Sequence, residues 1–466
     1  MNPDVCIIGA GISGLGVAHF LRRKGLHVMV LERSARAGGV IRTRRLRGFL
    51  FDQGPNSTLN ASAALKQIIA DLNLRDRMVT AGTHAGNRYV WRRGKLRLVP
   101  MGPGALVQTD LLTWRGKIRL LAEPLIPPKK DGGDESVAQF VRRRLGQEFL
   151  DYLINPFVAG VYAGDPSQLS IRAAFRRVYD LEQQHGGLIR GFVAKRKAAK
   201  RTGQPDRTRA GLISFDAGMQ VLTDALARSL GTALVLQTEV QEIVAEKDGF
   251  RILASTSEGE RVEIHSRQVV LATPARQSAR LLCRLSPAAS RALEEIPYAP
   301  VAVVFMGYPE HAPRRSLNGF GFLVPAVERR QILGCIWSSS LFPHRAPDGF
   351  VALTTFVGGT RQPELAALEE KPLSSLVQKE LAELMGLSGS PEFTAVKKWK
   401  QAIPQYDLQH ESRLRAIEAA EQAIPGLHVA GNFRRGISVA DCLDQAAELA
   451  ERIAATCEAR EHLTLS

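Results

Sequence analysis

Three glycines near the start of the chain have the spacing of a phosphate-binding turn. Gly9, Gly11 and Gly14 form the pattern GxGxxG directly after an apolar run at residues 5–8. In such a turn the first glycine permits a tight bend, the second lets backbone amides approach a pyrophosphate, and the third lets a helix pack on the preceding strand. Glu32 follows a second apolar run, where its carboxylate can accept hydrogen bonds from a ribose diol and would repel a 2′-phosphate. The pattern predicts dinucleotide binding, and the alternative is a glycine-rich turn with a structural role alone.

The elements that would position this turn can be predicted from the residues around it. Residues 5–8 and 28–31 are short, continuous apolar runs, as buried parallel strands require. Residues 15–23 have helical apolar spacing, and Gly25 follows them as a C-terminal cap. Strand, helix and strand in this order form a βαβ unit, and the start of the helix directs free N–H groups and a positive dipole end at the phosphates.

A second glycine pair, Gly38 and Gly39, indicates which dinucleotide is bound. The segment at residues 36–43 resembles the second glycine motif of the FAD-binding oxidoreductases related to amine oxidases and carotenoid desaturases. In that superfamily the pair passes close to the flavin and its diphosphate, and an arginine pairs with phosphate oxygens, which a guanidinium fork suits better than an ammonium. The resemblance implies FAD as the cofactor and Arg36 as the matching arginine, while Arg42 would face either phosphate or substrate.

Further segments match the same superfamily in order and spacing. A strand and glycine turn at residues 427–432 and a helix start after Gly436 would close over the flavin, and Val240 would lie near the adenine. In isolation each of these is an ordinary buried strand end, but the combination is specific. The predicted FAD contacts are Gly9, Gly11, Ile12, Ser13, Gly14, Glu32, Arg33, Arg36, Gly38, Gly39, Val40, Gly54, Pro55, Asn56, Val240, Ala272, Thr273, Gly431, Asn432, Gly436 and Val439.

Along the whole chain the resemblance narrows to one family, the oxygen-dependent protoporphyrinogen oxidases. Val40 replaces the arginine that amine oxidases usually carry after the glycine pair, which favours a porphyrinogen over an amine. Ser438 and Ala440 depart from the family, which usually has Gly and Pro before Asp441, so the flavin contact of that loop stays open. The matching segments are residues 52–57, 87–89, 135–146, 156–166, 169–175, 319–325 and 403–406.

Membership of this family would make the chain an enzyme of haem biosynthesis that oxidises protoporphyrinogen IX to protoporphyrin IX. The resemblance implies hydride loss from a ring-bridging carbon to the flavin N5, proton loss from a pyrrole nitrogen and reoxidation by O2, in three rounds per porphyrinogen. The cofactor carries the difficult step, and the protein supplies position and electrostatics. No catalytic side chain beyond the flavin is therefore predicted.

The substrate pocket should be apolar on both faces with a few fixed polar anchors, because the macrocycle is flat, apolar and bears propionates. By match to the family's Asn-Arg-Tyr segment, Arg88 would bind a propionate; otherwise it is one more exposed arginine of a basic stretch. Asn56 and the backbone around Gly160 would lie beside the reacting ring. Leu323 and Trp337 would sandwich the macrocycle, unless they are ordinary strand core.

Three other functions stay open from the sequence. The nearest is coproporphyrinogen III oxidation by the same fold, because two further propionates would suit a chain with 62 Lys and Arg against 46 Asp and Glu. An amine oxidase or carotenoid desaturase is less well supported, since neither a cysteine for a covalent flavin link nor a paired aromatic cage is evident. The intact glycine motifs argue against a catalytically silent flavin or porphyrin carrier.

The formal net charge of +16 favours anionic partners, either the acidic substrate or an acidic membrane surface, unless it only reflects a basic proteome. No recognition helix or zinc-finger spacing accompanies it, so nucleic acid is not predicted as a partner. The five scattered cysteines lack a CxxC pair, which argues against disulfides and a metal site and for a reducing cytoplasm. We expect a cytoplasmic protein, peripheral on the inner face of the cell membrane, that forms a homodimer and hands its product to a ferrochelatase.

The predicted fold class is α/β with three domains. A discontinuous, Rossmann-like FAD-binding domain takes residues 1–82, 211–290 and 424–466, and a mixed β-sheet substrate-binding domain takes residues 83–95 and 291–423. Residues 96–210 are rich in Arg, Lys, Leu and Ala and form a helical domain, which the resemblance implies faces a membrane.

Overall fold

A computed structural model describes residues 2–129, 132–202 and 211–465. The strands in this part of the chain are β1 Val5–Ile8, β2 Val28–Leu31, β3 Thr43–Leu46, β4 Phe49–Asp52, β5 Thr58–Leu59, β6 Met78–Thr80, β7 Arg88–Arg92, β8 Lys95–Leu98, β9 Leu212–Phe215, β10 Leu234–Val235, β11 Thr238–Glu246, β12 Gly249–Thr256, β13 Arg261–Ser266, β14 Gln268–Leu271, β15 Tyr298–Pro309, β16 Gly321–Leu323, β17 Gly334–Trp337, β18 Phe350–Gly358, β19 Phe393–Pro404 and β20 Leu427–Val429. The α-helices are α1 Ile12–Arg23, α2 Ala63–Asp71, α3 Pro103–Gln108, α4 Trp114–Leu121, α5 Val137–Leu145, α6 Gln147–Phe149, α7 Asn155–Tyr162, α8 Ile171–Ala174, α9 Arg176–His185, α10 Leu188–Thr202, α11 Gln220–Leu230, α12 Ala275–Leu282, α13 Pro287–Glu294, α14 Ser338–Leu341, α15 Glu370–Met385, α16 His410–Ala423 and α17 Val439–Leu465.

The first βαβ unit forms as the sequence predicts. The residues of β1 are buried, and the strand pairs in parallel with β2, with Val5 opposite Val28 and Ile8 opposite Leu31. Helix α1 joins the two strands and is followed by Gly25, whose φ of 84° is a left-handed conformation that glycine adopts without strain. The unit is the centre of a parallel sheet with the strand order β10-β2-β1-β14-β20.

Both faces of this parallel sheet are covered, which explains why its strands are apolar throughout. Ile7 and Val30 belong to a core shared with α1, α2, α11 and α17. Ile8 and Leu31, which point to the opposite face, pack against the antiparallel sheet β11-β12-β13 and helices α12, α13 and α16. The sheet strands come from all three segments that the sequence assigns to the FAD-binding domain; the domain boundaries themselves stay a prediction.

A seven-stranded mixed sheet with the order β19-β15-β18-β17-β16-β7-β8 forms the second body of the fold. One of its faces packs on α15. The opposite face packs on Phe49 and Phe51 of β4 and on Ala159 of α7. Helix α7 and the β3-β4 hairpin therefore lie on the face of the sheet that also carries Leu323.

Helices α3 to α10 make up the third part of the chain and contain a buried ion network. The side chains of Arg144 and Glu182 are fully buried, and the Arg144 Nη2 lies 2.5 Å from the Glu182 Oε1. The Arg143 Nη1 lies 2.7 Å from the same oxygen. Among the described residues, no helix is long and apolar enough to cross a membrane. Residues 203–210 of the predicted helical domain lie outside the described residues.

Candidate active site

The first glycine turn has the conformation that its pattern requires. Gly9 has a φ of 104°, and a Cβ atom built on it would lie 2.8 Å from the carbonyl oxygen of Ala272. A Cβ atom on Gly14 would lie 2.0 Å from the oxygen of Gly9, so a side chain there would separate α1 from the turn. At Gly11, by contrast, an added Cβ would meet no heavy atom of the described residues within 4 Å. Gly11 thus borders an open space at the start of α1, where a phosphate can approach backbone N–H groups.

The second glycine pair lies directly against the first turn. The N–H of Gly38 donates to the Ala10 oxygen at 2.7 Å, and a Cβ atom on Gly39 would lie 3.3 Å from the Gly11 Cα. Gly38 has a φ of 103° and Gly39 a φ of 57°. Both positions therefore favour glycine, and the structure brings the two predicted glycine motifs to one place.

The Glu32 carboxylate is fixed at the end of β2 beside the turn. Oε2 accepts a hydrogen bond from the Ala10 N–H at 2.8 Å, and Oε1 accepts one from the Ser34 N–H at 2.9 Å. Each oxygen keeps a further lone pair, which leaves the half-buried carboxylate able to accept from a ribose diol. The backbone N–H of Thr238 donates to the backbone carbonyl oxygen of Glu32 at 2.9 Å. This hydrogen bond places the start of β11, which contains Val240, beside the end of β2.

The side chain of Arg36 holds the second glycine loop by hydrogen bonds to backbone carbonyl oxygens of that loop. The guanidinium donates to the oxygens of Gly39 at 2.8 Å and Ala37 at 2.9 Å. Burial, together with the nearby charge of Arg42, lowers the pKa of Arg36 from its ordinary value. The predicted pairing of Arg36 with phosphate stays a prediction, and the neighbouring Arg33 is exposed to solvent.

A buried ion pair pins the segment that contains Gly54, Pro55 and Asn56. The Asp52 carboxylate accepts from Arg345 at 2.8 Å and from the Met219 N–H at 2.9 Å. A Cβ atom on Gly54 would lie 2.1 Å from the Val40 oxygen, so this segment runs directly over the second glycine loop. The approach requires a residue without a side chain at position 54.

The C-terminal glycine turn is closed by a helix cap. Gly436 has a φ of 128°, and a Cβ atom there would lie 2.6 Å from the side chain of Asp441. The Ser438 Oγ accepts from the Asp441 N–H at 3.1 Å and donates to the Asp441 carboxylate at 2.6 Å. Ser438, which departs from the family pattern, thus caps α17, and it leaves Val439 buried in the core next to α1.

The predicted substrate residues Gly160 and Leu323 are in contact. A Cβ atom on Gly160 would lie 2.6 Å from a Leu323 methyl group, so a side chain at position 160 would require Leu323 to shift. Gly160 lies on the exposed side of α7 together with Phe157 and Val161, which are 39% and 41% exposed. These side chains form an apolar wall that is open to a ligand.

The position of α7 is fixed by contacts from two other segments. The Arg361 guanidinium donates to the Asn155 Oδ1 and to the Val324 oxygen, both at 2.9 Å. The same Asn155 oxygen accepts from the Ala326 N–H at 2.9 Å. Residues 150–154, just before α7, form a π-helix, a rare conformation that occurs frequently at functional sites. The start of α7 is therefore held against the end of β16.

Arg88 lies on the same face of the sheet as Leu323. Its strand pairs in parallel with β16, with Arg88 opposite Gly321, two residues before Leu323. Its guanidinium stands 5.3 Å from the Phe320 ring and makes no hydrogen bond or ion pair within the described part of the chain. Burial by surrounding protein lowers the pKa of Arg88 although its surface stays accessible to solvent, as expected for a cation lining a concave site.

Trp337 lies in the core of the sheet rather than in the pocket. Its side chain is fully buried, and its ring lies 5.5 Å from that of Tyr89, on the face that packs on α15. Leu323 pairs with Gly334, and Trp337 is an odd number of residues further along β17, so the two side chains point to opposite faces. The core interpretation holds for Trp337, which cannot sandwich a macrocycle with Leu323 in this structure.

Comparison with known proteins decides the family. The model of the family described as flavin containing amine oxidoreductase matches residues 12–454. The chain is 37% identical to a chloroplastic protoporphyrinogen oxidase of Nicotiana tabacum, over 97% of this chain and 85% of the relative. The chain belongs to the flavin-containing amine oxidoreductase family.

Two other relatives extend the comparison to bacterial proteins. A coproporphyrinogen III oxidase of Bacillus subtilis is 29% identical, over 95% of this chain and 96% of the relative. A solved structure from Exiguobacterium sp. 255-15, provisionally assigned as a protoporphyrinogen oxidase, superposes with a TM-score of 0.80 at 25% identity and covers 97% of this chain and 98% of its own. The α/β fold predicted from the sequence is confirmed, and the chain is a flavin-dependent oxidoreductase.

FAD is the cofactor of this family member, and the site described above fits it. The open space at Gly11 suits the diphosphate, the Glu32 carboxylate suits the adenosine ribose, and the turn at Gly431 and Gly436 suits the flavin end. Within the described residues no group of three or more His, Cys, Asp or Glu side chains could hold a metal ion.

Four residues that hold the site together are missed by the sequence reasoning. Arg345 anchors Asp52, Arg361 anchors α7, and the Trp399 indole N–H donates to the Gln53 oxygen at 2.7 Å. Tyr406 falls in a matching family segment but is not singled out as a contact. Each of these side chains reaches a partner far away in sequence, which no local pattern indicates.

Proposed function

We propose that the chain oxidises protoporphyrinogen IX to protoporphyrin IX, with O2 as the electron acceptor, in haem biosynthesis. The observation that carries this proposal is an apolar wall, made by Gly160, Phe157 and Leu323, with the unpaired cation of Arg88 on the same sheet face. A flat apolar macrocycle with carboxylate substituents needs this combination of surfaces. The name of the tobacco relative supports the same substrate.

The residues of the chain position the substrate, and the cofactor supplies the redox chemistry. When bound, FAD accepts hydride equivalents from the substrate and passes the electrons to O2. The wall of α7 and β16 excludes water from one face of the macrocycle, and Arg88 holds a propionate so that the ring cannot rotate within its plane. The clamp of Arg361 on Asn155 keeps α7 at a fixed distance from β16.

A second candidate substrate is coproporphyrinogen III, which carries two additional propionates in place of vinyl groups. Arg42 and Lys397 favour it, because both are half-buried and neither forms an ion pair within the described residues. Burial, then the charges of Arg42 and Arg36, lowers the pKa of Lys397. The Bacillus subtilis relative is named for this substrate.

The two candidate substrates can be distinguished by adding each porphyrinogen anaerobically to the FAD-loaded protein and then admitting air. We expect loss of the flavin absorbance with protoporphyrinogen IX, followed by porphyrin formation and oxygen uptake on aeration. Faster bleaching and turnover with coproporphyrinogen III would assign that substrate instead. An FAD-loaded protein that stays oxidised with both would contradict the proposal.

We further propose that the helical part of the chain docks on the anionic inner face of the cell membrane. Cations such as Arg115 and Lys117 lie beside large apolar side chains that are exposed to solvent, a combination typical of membrane-surface helices. The exposed apolar side chains are Met101, Val107, Trp114, Ile118, Leu121 and Leu125.

Liposome flotation at low salt tests this docking. We expect the protein to float with anionic vesicles and to stay behind with neutral ones, and the double variant Trp114→Ser, Leu125→Ser to float less. Equal recovery with neutral and anionic vesicles would contradict it.

A further inference from the structure

One buried phenol holds both ends of the loop that closes the FAD site. The Tyr406 hydroxyl accepts a hydrogen bond from the Gly436 N–H at 2.9 Å and donates one to the Asn432 oxygen at 2.5 Å. Tyr406 is 1% exposed, and its partners Asn432 and Gly436 are half-buried. Burial raises the pKa of Tyr406 well above its ordinary value, and the hydroxyl therefore keeps the proton that it donates.

The same residue contacts the segment that carries the substrate wall. Its ring lies 5.9 Å from that of Tyr162, the last residue of α7, at an angle of 64°. Its carbonyl oxygen accepts from the Ser170 N–H at 2.8 Å, just before α8. On the other side, the ring stacks on His410 at 4.2 Å, which fixes the orientation of the phenol. Tyr406 thus joins the flavin-closing loop to α7.

The adjacent Gln405 reinforces this connection. Its side-chain amide donates to the Tyr162 oxygen at 2.8 Å and to the Ile403 oxygen at 3.0 Å. The end of α7 is therefore held by two consecutive residues that follow β19. A movement of residues 432–436 would disturb these contacts and, through them, the end of α7.

We propose that Tyr406 is a positioning residue whose hydroxyl fixes the loop at residues 432–436 against FAD and couples that loop to α7. The inference rests on FAD binding at this loop and deepens the proposed function, but it does not depend on which porphyrinogen is oxidised. Removing the hydroxyl leaves the partly buried Gly436 N–H and Asn432 carbonyl without this partner, so the loop should close less tightly.

The test compares Tyr406→Phe with Tyr308→Phe, a matched control. Tyr308 is fully buried in the core of the seven-stranded sheet, and among the described residues its hydroxyl hydrogen-bonds only to the Met306 sulfur, at 3.7 Å. Titration of each apoprotein with FAD, followed by fluorescence, should give a Kd about tenfold higher for Tyr406→Phe, as expected for a lost buried hydrogen bond. The control should stay within about twofold of the wild type, at similar thermal stability of the apoproteins.

Hydrogen exchange of the wild type supplies a measurement that does not depend on a variant. FAD should slow exchange both in peptides covering residues 430–438 and in peptides covering residues 155–163. In Tyr406→Phe the protection of residues 155–163 should be lost. Protection of the loop with no effect of FAD on α7 in the wild type would overturn the coupling.

Two outcomes separate this inference from the proposed function. A protein that binds no FAD contradicts the proposed function itself. A protein that binds FAD equally well with and without the hydroxyl contradicts only the role of Tyr406. Should Tyr406→Phe fail to fold, His410→Ala keeps the hydroxyl but removes the stacking ring, and it should raise the FAD Kd about two- to threefold; an unchanged Kd would overturn the inference.

Discussion

Replacement of Arg88 by alanine tests the substrate site most specifically. A charge-assisted hydrogen bond contributes about 1.5–3 kcal/mol, and each 1.4 kcal/mol is tenfold in affinity. The Arg88 guanidinium has no carboxylate partner in the described residues, so none of these residues loses an ion pair when it is removed. Because the guanidinium is accessible to solvent, we expect the lower end of this range, a rise in KM of about tenfold.

The assay is oxygen uptake against porphyrinogen concentration, with the flavin content measured on the same sample. The kcat of Arg88→Ala should stay within about threefold of the wild type, because a propionate anchor binds ground state and transition state alike. Arg93→Ala is the control, since Arg93 is exposed in the turn after β7 and lies outside the pocket face. An unchanged KM in Arg88→Ala, or an equal rise in Arg93→Ala, would refute the assignment.

Four further predictions follow from contacts in the structure. Glu32→Ala should weaken FAD binding about 10- to 100-fold, because the ribose diol loses its charged acceptor, and an unchanged Kd in a fluorescence titration would contradict this. Gly160→Val should fill the space beside the apolar wall of α7 and β16, where the macrocycle is proposed to bind. It should therefore lower kcat/KM with little change in flavin content, which steady-state kinetics and the flavin spectrum measure together. Arg345→Ala leaves the buried Asp52 carboxylate without its partner, so chemical denaturation should show about 3–5 kcal/mol less stability together with a lower FAD content. Burial lowers the pKa of both His428 and His410 from 6.5 to about 4, so the unfolded chain binds more protons in this interval. Each histidine should lower the free energy of unfolding by up to about 3 kcal/mol as pH drops from about 6.5 to 4, and His428→Gln should remove its own share of that pH dependence in chemical denaturation at several pH values.

Local rules were sufficient to predict the dinucleotide half of the site. The turn at Gly9, the position of Glu32 and the flanking strands obey short-range constraints of backbone conformation and apolar spacing, and the structure has the turn, the strands and Glu32 at the predicted places. The contact of Glu32 with a ribose stays a prediction. The family resemblance proposes Gly160 and Leu323 separately as substrate residues, but it does not predict their contact with each other, because the two residues belong to segments far apart in the chain.

The remaining features depend on tertiary packing that a sequence does not display. Strand β19 was not predicted, since its lysine-rich residues lack the alternation of a half-buried strand, and with it Trp399 was missed. Both faces of β17, the strand that contains Trp337, are covered by other parts of the protein. The apolar character of its residues alone therefore does not indicate which side chains face the core against α15 and which face the proposed substrate pocket. The role of Ser438 likewise depends on where α17 begins, because its hydroxyl caps the first turn of that helix.

The central claim is that the two glycine motifs and Glu32 hold FAD beside an apolar slot that admits a porphyrinogen. Anaerobic addition of protoporphyrinogen IX to the FAD-reconstituted protein, followed in the visible spectrum, tests it most directly. The account predicts that the flavin absorbance disappears and returns on admission of air, with the Soret band of the porphyrin product. Protein that stays colourless after incubation with FAD, or that holds FAD and is reduced by neither porphyrinogen, would contradict it.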